Sequence, residues 1–136
     1  MALTPEDEQN WTSSKLVIHS SAVTVQEITD LLGAQPTRSS NRNNPADDRQ
    51  ADDKSVWSHA SVLSSDASLE EHIDALLAII EARPEAWRDL MNRGDTWARI
   101  QCAISPRSGQ AASTLEPDLL TRLAAASVFV WLTVYR

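Results

Sequence analysis

At 136 residues and 42% hydrophobic content, the chain is long enough for one domain with its own core and too apolar for a disordered segment. A net charge of -7 and a pI near 4.8 exclude a general affinity for nucleic acid, which needs clustered Lys and Arg. The single cysteine, Cys102, excludes an intrachain disulfide and fits a reducing compartment, and no apolar run approaches the roughly 20 residues that span a bilayer.

Residues 1–14, "MALTPEDEQNWTSS", are acidic and lack an apolar run. They read as a flexible tail rather than a signal peptide, so the cytoplasm is the expected compartment. The domain proper is expected over 15–136. "KLVIHS" (15–20) is short and β-branched, as a strand should be. In "TVQEITDLLG", Thr24 and Glu27 make a capping box. Val25, Ile28, Leu31 and Leu32 fall at helical spacing, and Gly33 sits at the left-handed C-cap. Pro36 cannot continue the helix and holds Gln35 extended.

Residues 38–54 contain no apolar side chain larger than alanine and read as a long mobile loop. "SVWSHASV" (55–62) alternates as a second strand. "SLEEHIDALLAIIEARPEAWRDLMNRG" opens with a second capping box, Ser68 and Glu71. One stripe of Leu69, Ile73, Leu76, Leu77 and Ile80 marks its buried side. Pro84 would cost this helix a hydrogen bond, so a kink or split is expected there. "TWARIQCAIS" (96–105) alternates as a third strand. "EPDLLTRLAAA" (116–126) is a short helix with Pro117 in its first turn. "SVFVWLTVYR" (127–136) is a terminal strand, apolar on both faces.

The order β-α-β-α-β-α-β predicts an α+β two-layer sandwich with a largely antiparallel sheet and helices on one face. The ferredoxin-like arrangement is one form of it. The long helix between the second and third strands departs from that plain order, which leaves strand order open.

A strand, a helix ending "LLG", then "PTR", a polar loop, a strand with central Trp followed by Ser, and "LEEHIDALL" form a recognisable series. With the later "LLTRLAA" helix and apolar last strand, it resembles the mostly bacterial family called domain of unknown function 4279, from about Lys15 to Tyr135. Members usually carry a glycine a few residues beyond "PTR", where this chain has "SSNRNNPADD". The resemblance implies a fold and no activity.

Chemistry-bearing motifs are scarce. With three glycines, phosphate-cradling loops are not expected. His19, His59 and His72 lack ligand spacing, and no metal site is expected. His72 is read on the solvent side of its helix and the other two histidines in strands. Asp47, Asp48, Asp52 and Asp53 read as a solvated loop rather than a cation site. Cys102 alternates with Ile100 and Ile104, as a buried small hydrophobe would. Arg38 is expected to cap the carbonyl end of the first helix near Gly33 or pair with an acid; its functional alternative is to bind a carboxylate or phosphate as a planar fork.

Five Trp against one Phe and one Tyr is an unusual balance. Alternation groups Trp57 with His59, Trp97 with Arg99 and Gln101, and Phe129 with Trp131, Thr133 and Tyr135. If helices cover the aliphatic set (Val56, Ile100, Ile104, Val128, Val130, Leu132), these aromatic sets share the other side. On that reading Val130 and Leu132 are core, and Trp131 is partly accessible. Such sets suit an interface, where Trp, Tyr and Arg concentrate binding energy, or they pack on one another.

The favoured expectation is a non-enzymatic protein-interaction domain without a cofactor. It would bind through Arg38, Trp57, His59, Trp97, Arg99, Phe129, Trp131 and Tyr135, and one form is an immunity-type inhibitor masking a basic toxin. The alternatives are a small-molecule or enzymatic pocket near Arg38, Trp57 and His59, and a homodimer through the same sheet face.

Overall fold

The computed structural model describes residues 11–40, 54–106 and 113–135. Chain order is β1 (Trp11–Ser20), α1 (Val25–Leu32), β2 (Arg38–Ser40), β3 (Ser55–Ala60), α2 (Leu69–Glu81), α3 (Pro84–Met91), β4 (Thr96–Ser105), α4 (Pro117–Ala126) and β5 (Phe129–Val134). The strands form one sheet in the order β2-β3-β1-β4-β5. Every pairing is antiparallel except β4 with β5. This is the expected α+β architecture. Residues 11–14, read as tail, belong to β1. Residues 38–40 of the expected loop form a short edge strand on β3, while 41–53, with the four loop aspartates, lie outside the described residues.

One phase of alternation organises both layers. In β1, Leu16 and Ile18 point toward the helices, and the register places Ile100 and Ala98 of β4 opposite them. Beyond them lie Ile28 of α1, Ile73, Leu76 and Leu77 of α2, and Leu90 of α3, all essentially solvent-free. Trp57 of β3, opposite Ile18, is fully buried in the same core. Its indole Nε1 donates to Thr29 Oγ1 at 3.1 Å, which satisfies the one polar group that burial would otherwise orphan.

Both capping boxes are present, at Thr24/Glu27 and Ser68/Glu71. The helical segment splits at Ala82–Arg83, with Pro84 in the first turn of α3. There its missing N–H costs nothing and its fixed φ suits a helix start. Trp87 and Leu90 stay in phase and remain buried. His72, expected on the solvent side, is buried between Ser61 Oγ and Ser64 O, with ring nitrogens 2.8 and 3.1 Å from them. It follows Leu69 by three residues and so falls on the apolar stripe.

The cap on α1 is the clearest correction. Gly33 is left-handed, φ 68°, as expected. The arginine behind it is Arg83, from the break between α2 and α3. Its Nη1 donates to the carbonyls of Asp30 and Leu31 at 3.1 and 3.3 Å. These are last-turn carbonyls with no intrahelical partner, and a cation there also meets the negative end of the helix dipole. Arg38 instead starts β2, exposed and opposite Ser58.

β5 also differs from expectation. Val130 and Leu132 lie opposite Ile100 and Cys102, hence on the helix side, but stand 37% and 54% exposed. α4 is drawn away from them. Arg122 grips Glu81 with two nitrogens, at 2.9 and 2.6 Å, and Asp74 with a third at 2.6 Å. The Trp87 indole donates to Ala126 O at 2.9 Å. These bonds hold α4 against α2 and α3 and leave β5 without a helix above it. Leu132 is therefore no core leucine in the single chain.

A Cβ on Gly33 would sit 2.6 Å from the Arg83 guanidinium and would force a side chain into the left-handed region, which costs roughly 1–2 kcal/mol. Gly33→Ala should therefore destabilise by at least about that much in urea melts, and Arg83→Ala by less. In the double variant the two losses should fall short of their sum, because the clash disappears with the arginine. Additive losses would show that the two residues act independently.

Candidate site on the helix-free sheet face

The opposite phase of alternation builds the other face. From β1 come Lys15, Val17 and His19; from β4, Trp97, Arg99 and Gln101; from β5, Phe129, Trp131 and Thr133. Arg38, Val56 and Ser58 come from β2 and β3, the registers placing each residue in its row. No described helix covers these side chains.

Arg99 is the centre. Its guanidinium carbon lies 4.3 Å from the Trp131 ring centroid and 5.5 Å from that of Trp97, within cation–π range. Its Nε and Nη2 donate to Gln101 Oε1 at 3.3 and 3.2 Å, and Nη1 bonds His19 Nε2. That last bond requires Nε2 to be the lone-pair nitrogen, so the His19 proton sits on Nδ1. The His19 ring stacks on Trp97, with centroids 4.2 Å apart and planes 10° off parallel. Phe129 meets Trp97 edge-on at 6.1 Å, and Trp131 lies tilted at 6.3 Å. Trp97, Phe129 and Trp131 together line a shallow apolar depression. Phe129 is 59% and Trp131 49% exposed.

The electrostatics are lopsided. The five strands contain Lys15, Arg38 and Arg99 and neither an aspartate nor a glutamate. Lys54 directly precedes β3 and is close enough to bear on His19. Lys15, Arg38, Ser58 and Arg99 share the rim of a second, more polar groove on this face. On the helical side Arg93 pairs with Asp89 and Glu27, and Arg122 with Asp74 and Glu81. Burial lowers the pKa of Arg99 from its ordinary value. Burial, then the charges of Arg99 and Lys54, lower that of His19.

Of the eight residues expected to form one surface, Trp97, Arg99, Phe129 and Trp131 come together. Tyr135 follows β5, 55% exposed, and Arg38 lies across the sheet at the other edge. Trp57 and His59 do not join them. They share a face, but it is the helix-covered one; His59 stacks on Trp57 and its Nδ1 lies 2.6 Å from Gln35 O. Arg38, Trp57 and His59 thus sit on opposite sides of the sheet and form no common pocket. Val56, expected under the helices, takes the helix-free side. His19 and Lys15 belong to the site but were not singled out for it; the alternation of "KLVIHS", phased on Leu16 and Ile18, carries that signal. Among the described residues no three His, Cys, Asp or Glu side chains converge as a metal site would require. Cys102 is fully buried on the helix side, and burial pushes its thiol pKa up.

The lowered His19 pKa sets a direction for pH. The unfolded chain takes up the proton near 6.5 and the folded chain only at lower pH. Stability associated with neutral His19 is thus complete above 6.5 and declines as pH falls from there toward the folded pKa. An NMR titration should place the His19 midpoint below 6.5, and Arg99→Ala should move it upward. An unchanged midpoint in that variant would show that Arg99 does not act on the imidazole.

The comparisons bear on the fold and the family. The family model described as "Domain of unknown function (DUF4279)" matches residues 10–136. No curated protein and no solved structure gave a match. The matched span includes every strand and helix from which the aromatic and cationic face is built, from Trp11 of β1 to the end of β5. The chain belongs to the DUF4279 family.

Proposed function

We propose that this chain is a non-enzymatic protein-interaction domain that holds its partner against the helix-free face of the sheet, as an immunity-type inhibitor does when it masks its target. One observation carries the reading: the Arg99 guanidinium sits over a half-exposed Trp131 within an aromatic cluster, on strands that supply no carboxylate. Arginine and tryptophan are the side chains on which interface energy concentrates. A partially desolvated cation with no acid beside it among the described residues is a favourable place to receive one from another molecule.

The charge of this face refines the partner. The chain as a whole is acidic, which on average favours basic partners. Its described acids, however, lie on the helices and turns, and the sheet face presents Lys15, Arg38 and Arg99. The surface that docks here is therefore apolar at its centre, to cover Trp97 and Trp131, and acidic around it. A basic toxin surface would instead meet the helical layer.

A photo-crosslinking residue at Val56 or Ala103, both on the sheet face, tests this in cells. It should capture a partner that the same residue at Ala78, on the exposed side of α2, does not. Arg99→Ala and Trp131→Ala should each weaken the purified complex by about 2 kcal/mol or more, the hot-spot range, and leave the fold intact. Capture only from Ala78, or a complex indifferent to both variants, would overturn the proposal.

A further inference from the structure

β5 has the composition of a strand covered on both faces and the position of a bare sheet edge. Its sequence, FVWLTV, contains no charge, and both faces are apolar, as in strands covered above and below. Yet all six residues are exposed, and among the described residues only β4 pairs with it. The opposite sheet edge is blunted in the usual way, by a three-residue β2 carrying Arg38. β5 has no Lys, no Pro and no bulge to discourage pairing.

The backbone shows which groups are free. Tyr135 N–H donates to Ile104 O at 2.8 Å, and β5 runs parallel to β4. Backbone groups alternate along a strand, so Phe129, Trp131 and Thr133 also turn theirs toward β4. Val130, Leu132 and Val134 turn theirs outward. An antiparallel neighbour needs outward-facing residues directly opposite one another. A second β5 supplies them in one register that uses the whole strand: Leu132 opposite Leu132, and Val130 opposite Val134, each pair exchanging both hydrogen bonds. The same register sets Trp131 beside Thr133 on the helix-free face.

We infer that two copies of this chain associate through their β5 edges, antiparallel about a two-fold axis at Leu132, into one continuous sheet of twice five strands. Charge favours this edge for self-association. Two chains of net charge -7 repel wherever their acids meet, and neither β5 nor β4 carries one. Pairing of this kind buries the outward backbone groups of β5 and only the facing flanks of its apolar side chains, which places the contact at the small, weakly associating end of specific interfaces. The inference goes beyond the partner-binding face: it rests on the outward backbone groups of Val130, Leu132 and Val134, whereas that face works through the side chains of Arg99 and Trp131.

Sedimentation equilibrium of the full chain tests it. At concentrations on the order of 100 µM, the mass should be twice the 15.0 kDa of one chain, returning to the single mass on dilution. Leu132→Pro removes only an outward N–H, the one place a strand tolerates proline, and Leu132→Lys adds the charge this edge lacks. Both should be monomeric at the same concentration, with unchanged circular dichroism; if the proline variant fails to fold, the lysine variant decides. A wild-type chain that stays monomeric would overturn the inference. So would a dimer that persists in the folded variants. A monomer that loses a different protein partner on Leu132→Lys would overturn it too, by assigning the edge to another chain.

Discussion

β1 pairs along its full length with β4 in a ten-residue antiparallel register, from Trp11 opposite Ser105 to Ser20 opposite Thr96. That register sets the phase of every other strand. It puts Leu16, Ile18, Ile100 and Cys102 under the helices and, by the same stroke, Lys15, His19, Trp97 and Arg99 on the other side. Because the side-chain period of a strand is two, a slip of one residue would exchange the two sets. It would bury two cations and expose the core. The energy that fixes the core therefore also fixes the aromatic and cationic face.

What could be read from the sequence follows from the range of the interactions involved. Helix ends were legible because capping boxes, Gly33 and Pro84 act within a few residues of themselves. β4 was legible because its alternation is unbroken. β3 was not. In SVWSHA both phases mix apolar with polar residues, and grouping Trp57 with the other aromatics put it on the wrong side. The deciding fact is its pairing with Ile18, a partner far away in sequence. The same limit applies to the cap on α1. Nearness in sequence points to Arg38, and only the packing of the α2–α3 break against α1 brings Arg83 to that helix end. The exposure of β5 was hidden for a related reason: its apolar residues are those of a covered strand, and coverage depends on where Arg122 and Trp87 anchor α4.

Charge is divided between the two layers. Among the described residues the acids lie on the helices and turns, partly neutralised by Arg93 and Arg122, and the strands bear cations and no carboxylate of their own. A single net charge conceals this division. The described residues thus present two surfaces of opposite electrostatic character, and partners approaching from different sides are steered by different fields.

Cys102 offers an unintended consequence of the core. It lies in the centre of β4, on the helix side, between Ser14 of β1 and Leu132 of β5. Burial and a raised pKa both withhold the thiolate, the form that reacts with alkylating reagents. Labelling must then wait for an opening of the structure, and its rate becomes a gauge of that opening. Since β5 flanks Cys102 on one side only, comparing the labelling rate with that of global unfolding separates peeling of the edge strand from collapse of the whole sheet. The molecule thus carries a chemical clock set at the boundary between its firmest strand pairing and its most exposed strand.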